Sequence, residues 1–112
     1  MKNFININDV SDYNKLLNEA LDLKKTEIDI ATGKNKTLGL IFFNPSLRTR
    51  LSSYKAAQNL GMNVIELNFD KQGWKLEFNN NVIMNSNKAE HIKEAAQVIS
   101  QYCDIVGIRS FA

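Results

Sequence analysis

The sequence predicts an α/β fold, a parallel sheet with flanking helices, and three observations carry that prediction. Apolar runs of strand length recur at 37–43, 62–67 and 104–108. Between them lie stretches whose apolar residues fall at helical spacing. Turn-forming residues mark the boundaries. Strands alternating with helices imply right-handed crossovers and parallel pairing.

Taken in order, Val10, Tyr13, Leu16, Leu17, Ala20 and Leu21 share one helical face, with Asn8 or Asp9 available as N-cap. This first helix is expected to run to about Lys25, followed by a polar link through Gly33, Lys34, Asn35 and Lys36. Thr37 to Phe43 is apolar without alternation, the pattern of a strand covered on both faces. Asn44 and Pro45 stop it. Leu47, Leu51, Tyr54, Ala57 and Leu60 mark a second helix, with Gly61 placed to end it.

A second strand, Met62 to Leu67, follows directly. Asn79, Asn80, Asn81, Asn85 and Asn87 then read as a polar surface loop. Asn87 and Glu90 have capping-box spacing and are expected to open a third helix with the stripe Ile92, Ala95, Ala96, Ile99 and Tyr102. The third strand, Asp104 to Ile108, ends in Arg109. There is no internal repeat. Residues 1–112 form one domain, and it is expected to be truncated, because the sequence ends three residues after Arg109 without a closing helix.

Composition narrows the function. With 44% hydrophobic and 23% charged residues, the chain is an ordinary globular domain large enough to bury a core. The net charge is only +2 and the basic residues are scattered, which argues against nucleic acid or an anionic membrane as partner. No stretch has the length of a signal peptide core or a membrane span. The single Cys103 excludes an internal disulfide and suits a cytoplasmic location; its apolar neighbours make it a small buried hydrophobe sooner than a reactive thiol. His91 is the one histidine and has no ligand-spaced neighbours, so a metal site is not expected.

The informative segment is Asn44 to Arg50, where the first strand meets the second helix. Ser46 is a natural N-cap, which puts Arg48 and Arg50 in the first turn. That turn already carries about half a positive charge, and an exposed cation there costs about 0.3–1 kcal/mol. Two guanidiniums at such a place suggest a bound anion, against the plainer reading of a solvated helix start. Free amides, the Ser46 and Thr49 hydroxyls and a forked guanidinium suit phosphate oxygens. If the first and third strands are neighbours, Arg109 emerges on the same rim as a further donor; otherwise it is a surface charge. No Gly-rich nucleotide loop is present.

The run Phe42, Phe43, Asn44, Pro45, Ser46, Leu47, Arg48, Thr49, Arg50, Leu51, Ser52 resembles the phosphate-binding segment of the aspartate and ornithine carbamoyltransferases, commonly Ser-Thr-Arg-Thr-Arg. Leu47 in place of threonine points to the branch acting on N-acetyl- or N-succinylornithine. Asn59–Val64, Gly73–Glu77 and Tyr102–Ala112 resemble that branch too. The resemblance spans nearly the whole chain but only the first third of such an enzyme, its amino-terminal carbamoyl-phosphate-binding domain.

What the resemblance implies follows residue by residue. Ser46, the Leu47 backbone, Arg48 and Thr49 would hold the phosphate of carbamoyl phosphate. Arg50 would support the loop, and Arg109 would bind the carbamoyl oxygen, leaving Arg48 and Arg109 as the catalytic pair. Trp74 would reach the active site of a neighbouring subunit in a homotrimer; read alone, it is an aromatic anchoring a polar loop. The second substrate would be an N-acylated ornithine, with no cofactor or metal, in cytoplasmic arginine biosynthesis. The second, amino-acid-binding domain is missing, so the fragment alone is expected to be inactive. Ala89 stands where proline is expected in the succinylornithine branch, which leaves the acyl group open. The rival readings are ornithine or aspartate carbamoyltransferase, or a non-catalytic phosphate-binding α/β module.

Overall fold

The computed structural model describes residues 2–69, 76–77 and 90–111. Its centre is a three-stranded parallel sheet of β1 (Thr37–Phe42), β2 (Asn63–Asn68) and β5 (Ile105–Arg109), in the order β2-β1-β5. Helix α2 (Leu47–Asn59) joins β1 to β2, and α3 (Ile92–Tyr102) precedes β5. The first strand is therefore central and the third is its neighbour, the arrangement on which a shared rim for Arg109 depended. The two-residue strands β3 (Leu76–Glu77) and β4 (Glu90–His91) pair with each other, also in parallel.

Each strand of the central sheet begins where its apolar run does, to within a residue. Met62 stays out of β2 because its amide closes the end of α2 on the Ala57 carbonyl, while Gly61 donates to Gln58. That pair of bonds, with Gly61 at φ 74°, is the Schellman closure that a glycine at this place predicts. Asp104 likewise sits just before β5, where its carboxylate accepts from the Thr37 amide at 2.8 Å and lies 3.7 Å from the Lys36 ammonium. The starts of β1 and β5 are tied together there.

Two expectations need correction. The first helix, α1, is Tyr13–Leu23 and is capped by Asp12, whose side chain accepts from the Lys15 amide. Asp9 is occupied in a preceding 3-10 turn, Ile7–Asp9, where it accepts from the Ile5 and Asn6 amides. The capping box at Asn87 and Glu90 does not start α3, because Glu90 is paired in β4 opposite Leu76. The first strand is covered as expected, and coverage differs between strands. Leu40, Ile41 and Phe42 of β1 are buried with Ala57 and Ala95, but Ile105 and Ile108 of β5 are 57% and 65% exposed. The apolar face of α1 is open as well, with Tyr13, Leu17 and Leu21 exposed.

Cys103 is half-buried, less sheltered than its neighbours suggested. Its sulfur lies against Gly39, where a Cβ would come within 2.7 Å. Burial, and secondarily the Asp104 carboxylate, push its thiol above its ordinary pKa. Among the described residues no helix is long and apolar enough to cross a membrane, and no cluster of His, Cys, Asp and Glu could hold a metal. The polar loop at 79–81, and Asn85 and Asn87, lie outside the described residues.

Candidate anion site at the carboxyl rim of the sheet

The register brings the site residues together. β1 and β5 pair so that Phe42 stands opposite Arg109, and the Phe43 amide donates to the Arg109 carbonyl at 3.0 Å. Just beyond, the Asn44 side-chain oxygen accepts from the Phe111 amide at 2.8 Å. On the other side the Phe69 amide donates to the Phe42 carbonyl, and the Phe43 and Phe69 rings stack 5.5 Å apart. All three strand ends are thus stitched at the rim where ligands of doubly wound sheets bind.

Ser46 is the N-cap of α2, with extended backbone (φ −157°), but its hydroxyl makes no capping bond. The amides of Leu47, Arg48 and Thr49 belong to the donors that an α-helix leaves unpaired at its start. No acidic residue lies in the first turn to offset the dipole. Arg48 is exposed and makes no hydrogen bond, ion pair or ring contact among the described residues. Leu47 is 70% exposed, so backbone, not side-chain packing, is what it contributes here.

Arg109 reaches across from β5, and its Nη1 donates to the Thr49 hydroxyl at 3.3 Å. Its guanidinium carbon stands 4.7 Å from the centre of the Phe111 ring. Its Nε is buried without a hydrogen-bond partner among the described residues. Leu40, Phe42, Thr49, Ser53, Gly107 and Arg109 bound a small cleft of about 100 Å³ beside this contact. A larger cleft of about 230 Å³ lies between β2 and α3, but its apolar lining of Ile65, Leu67, Phe69 and their neighbours supplies no cation.

Arg50 departs from the picture of two guanidiniums facing one anion. It turns to β2, where its Nε lies 2.7 Å from Glu66 Oε1 and its Nη2 donates to Asn68 Oδ1 at 3.3 Å. The side chain also packs over the Phe42 ring. These contacts tie the first turn of α2 to the end of β2. The sequence analysis named neither partner, Glu66 nor Asn68; the available signal was a carboxylate among the apolar residues of the second strand. Trp74 and Ala89 lie outside the described residues.

At this rim, then, free helix amides, two hydroxyls and two guanidiniums not engaged with carboxylates share one edge, a donor set suited to a small dianion.

Comparison with known proteins gives this edge a context. Residues 2–112 match the family model described as aspartate/ornithine carbamoyltransferase, carbamoyl-P binding domain. The chain is 51% identical to an N-succinylornithine carbamoyltransferase of Bacteroides fragilis (strain 638R) over 113 residues, covering 100% of this chain and 36% of the relative. It is 39% identical to an N-acetylornithine carbamoyltransferase of Xylella fastidiosa (strain Temecula1), covering 99% and 33%. Among solved structures, a substituted N-acetyl-L-ornithine transcarbamylase complexed with carbamyl phosphate and N-succinyl-L-norvaline superposes with a TM-score of 0.88 at 37% identity, over 99% of this chain and 34% of that one. The chain spans about a third of the length of the curated relatives it matches.

Proposed function

The chain belongs to the aspartate/ornithine carbamoyltransferase family, and from that premise we propose that its rim binds carbamoyl phosphate for transfer of the carbamoyl group to an N-acylated ornithine. The observation that carries this reading is the 3.3 Å contact between Arg109 and Thr49, which joins the end of β5 to the first turn of α2. Ser46, the Leu47 amide, Arg48 and Thr49 take the phosphate. Arg109 takes the carbonyl oxygen. Trp74 reaches a neighbouring subunit of a homotrimer, and the acylornithine site lies on a second domain for which a protein of the relatives' length has room.

The chemistry is an acyl transfer. The side-chain amine of ornithine attacks the carbonyl carbon, a C–N bond forms, and the C–O bond to phosphate breaks. The amine gives up one proton, and inorganic phosphate leaves. Negative charge grows first on the carbonyl oxygen and then on the leaving phosphate. Fixed donors that meet both lower the barrier more than they stabilise the ground state. They also hold the mixed anhydride in line for attack. The product is an N-acylcitrulline, which places the reaction in arginine biosynthesis. A free, unbridged Cys103 is in keeping with the cytoplasm.

The acyl branch rests on the two relatives above and on Leu47, whose exposed side chain leaves the amide as the group it presents. The test is citrulline formation by the intact protein from carbamoyl phosphate and, in turn, ornithine, N-acetylornithine and N-succinylornithine. Turnover of an acylated amine over free ornithine is the expected result. Preference for free ornithine would overturn the branch. Failure to bind carbamoyl phosphate at all would overturn the site.

A further inference from the structure

Glu66 and Asn68 have no part in the site as drawn so far, yet both stand on the sheet face that α2 covers. Register puts Glu66 opposite Leu40 and Asn68 opposite Phe42, and strand alternation keeps all four on one side. The Glu66 side chain is only 20% exposed, an unusual place for a carboxylate without a partner. Its partner is the Arg50 Nε at 2.7 Å, close enough for a contact ion pair although the N–H does not point squarely at the oxygen. Asn68 completes a triangle: its oxygen accepts from Arg50 Nη2 at 3.3 Å and its amide nitrogen donates to Glu66 Oε2 at 3.4 Å. The Phe42 ring, 5.4 Å from the guanidinium, forms the floor.

Arg50 is the fourth residue of α2, so whatever holds it also holds the turn that carries Ser46 to Thr49. We propose that Glu66 and Asn68 are positioning residues of the anion site: by clamping Arg50 to the end of β2 they fix the first turn of α2 against the rim and keep a third guanidinium out of the ligand's place. This rests on the reading of the rim as a carbamoyl phosphate site. It differs from a plain charge effect in sign. A carboxylate near a dianion only repels it, so if charge alone mattered, Glu66→Gln would tighten binding. A clamp predicts the opposite.

The experiment is calorimetric titration of carbamoyl phosphate, with inorganic phosphate as a second probe, into the intact protein and its Glu66→Gln, Asn68→Ala and Arg50→Met/Glu66→Gln variants. Far-UV circular dichroism and a thermal melt on each check the fold. Loosening a turn that presents several donors at once is expected to weaken binding about 10-fold in Glu66→Gln. Asn68→Ala, which changes no charge, is expected to weaken it in the same direction. The double variant should bind no worse than Glu66→Gln, because the two side chains act as a unit.

Binding in Glu66→Gln that equals or exceeds that of the unsubstituted protein overturns the clamp and leaves the anion site standing. An unsubstituted protein that binds neither probe overturns the site, and the clamp with it. Where Glu66→Gln does not fold, Asn68→Ala decides; loss of the folded state in both assigns the triangle to stability alone and ends the proposal.

Discussion

Replacing Arg48 by alanine is expected to move stability and affinity in opposite directions. Without ligand, Arg48 places a cation at the positive end of α2, with no carboxylate in the first turn and no ion-pair partner among the described residues. Such a placement costs about 0.3–1 kcal/mol, and the exposure of the side chain puts it at the lower end. Arg48→Ala should therefore stabilise the ligand-free domain by about 0.3–0.5 kcal/mol, a rise of about 1–4 °C in Tm for a chain of this size. With ligand the sign reverses. A hydrogen bond to a charged group contributes about 1.5–3 kcal/mol, so its loss should weaken carbamoyl phosphate binding about 10- to 150-fold. Scanning calorimetry of both proteins, with and without carbamoyl phosphate, reads the two effects in one series. Raising the salt should shrink both. A variant with lower Tm and unchanged affinity would refute the reasoning, since Arg48 would then be a packing residue and not a ligand-facing cation.

Two further outcomes concern the frame around the site. Gly61→Ala should destabilise the domain by at least about 1–2 kcal/mol in urea unfolding, because a Cβ there needs a left-handed backbone and would run into the Ile30 carbonyl. A change below about 0.5 kcal/mol would show that the Schellman closure is not held in solution. The raised pKa of Cys103, caused first by burial and then by Asp104, means that the folded state keeps its thiol proton at a pH where the unfolded chain loses it. The stability this contributes is complete below the ordinary thiol range, about pH 8.5, and is lost as pH rises through the folded value. Cys103→Ala should flatten the alkaline limb of the stability curve; an unchanged slope would put the titration elsewhere.

Much of this architecture was legible in the sequence for a physical reason. Strands of a parallel sheet are apolar throughout, so Thr37–Phe42 stood out from its polar surroundings without reference to anything distant. The approach of Arg109 to Thr49 was left conditional on strand order, and it follows once β1 and β5 are neighbours. Where local chemistry competed with a remote partner, the reading failed. Asn87 and Glu90 have the spacing of a helix start, but pairing of Glu90 with Leu76 takes precedence, and no local pattern announces it. Asp9 was a fair N-cap until its carboxylate was taken by the amides of Ile5 and Asn6. Glu66 was the harder case. Its meaning depends on Arg50, one crossover away, and a charge in the middle of an apolar run carries no hint of which cation will meet it.

The link between Arg109 and β1 has a consequence for how the domain matures. Side chains alternate along a strand, so a slip of β5 by one residue past β1 would swing Arg109 to the α3 side and bring Ile108 or Ser110 to the edge proposed for the dianion. Such a chain would keep nearly the same helix and strand content. It would be blind to its ligand. On the proposed function, correct alignment of the sheet and competence for phosphate are acquired in one step, and occupancy by ligand would select the right alignment over its near misses.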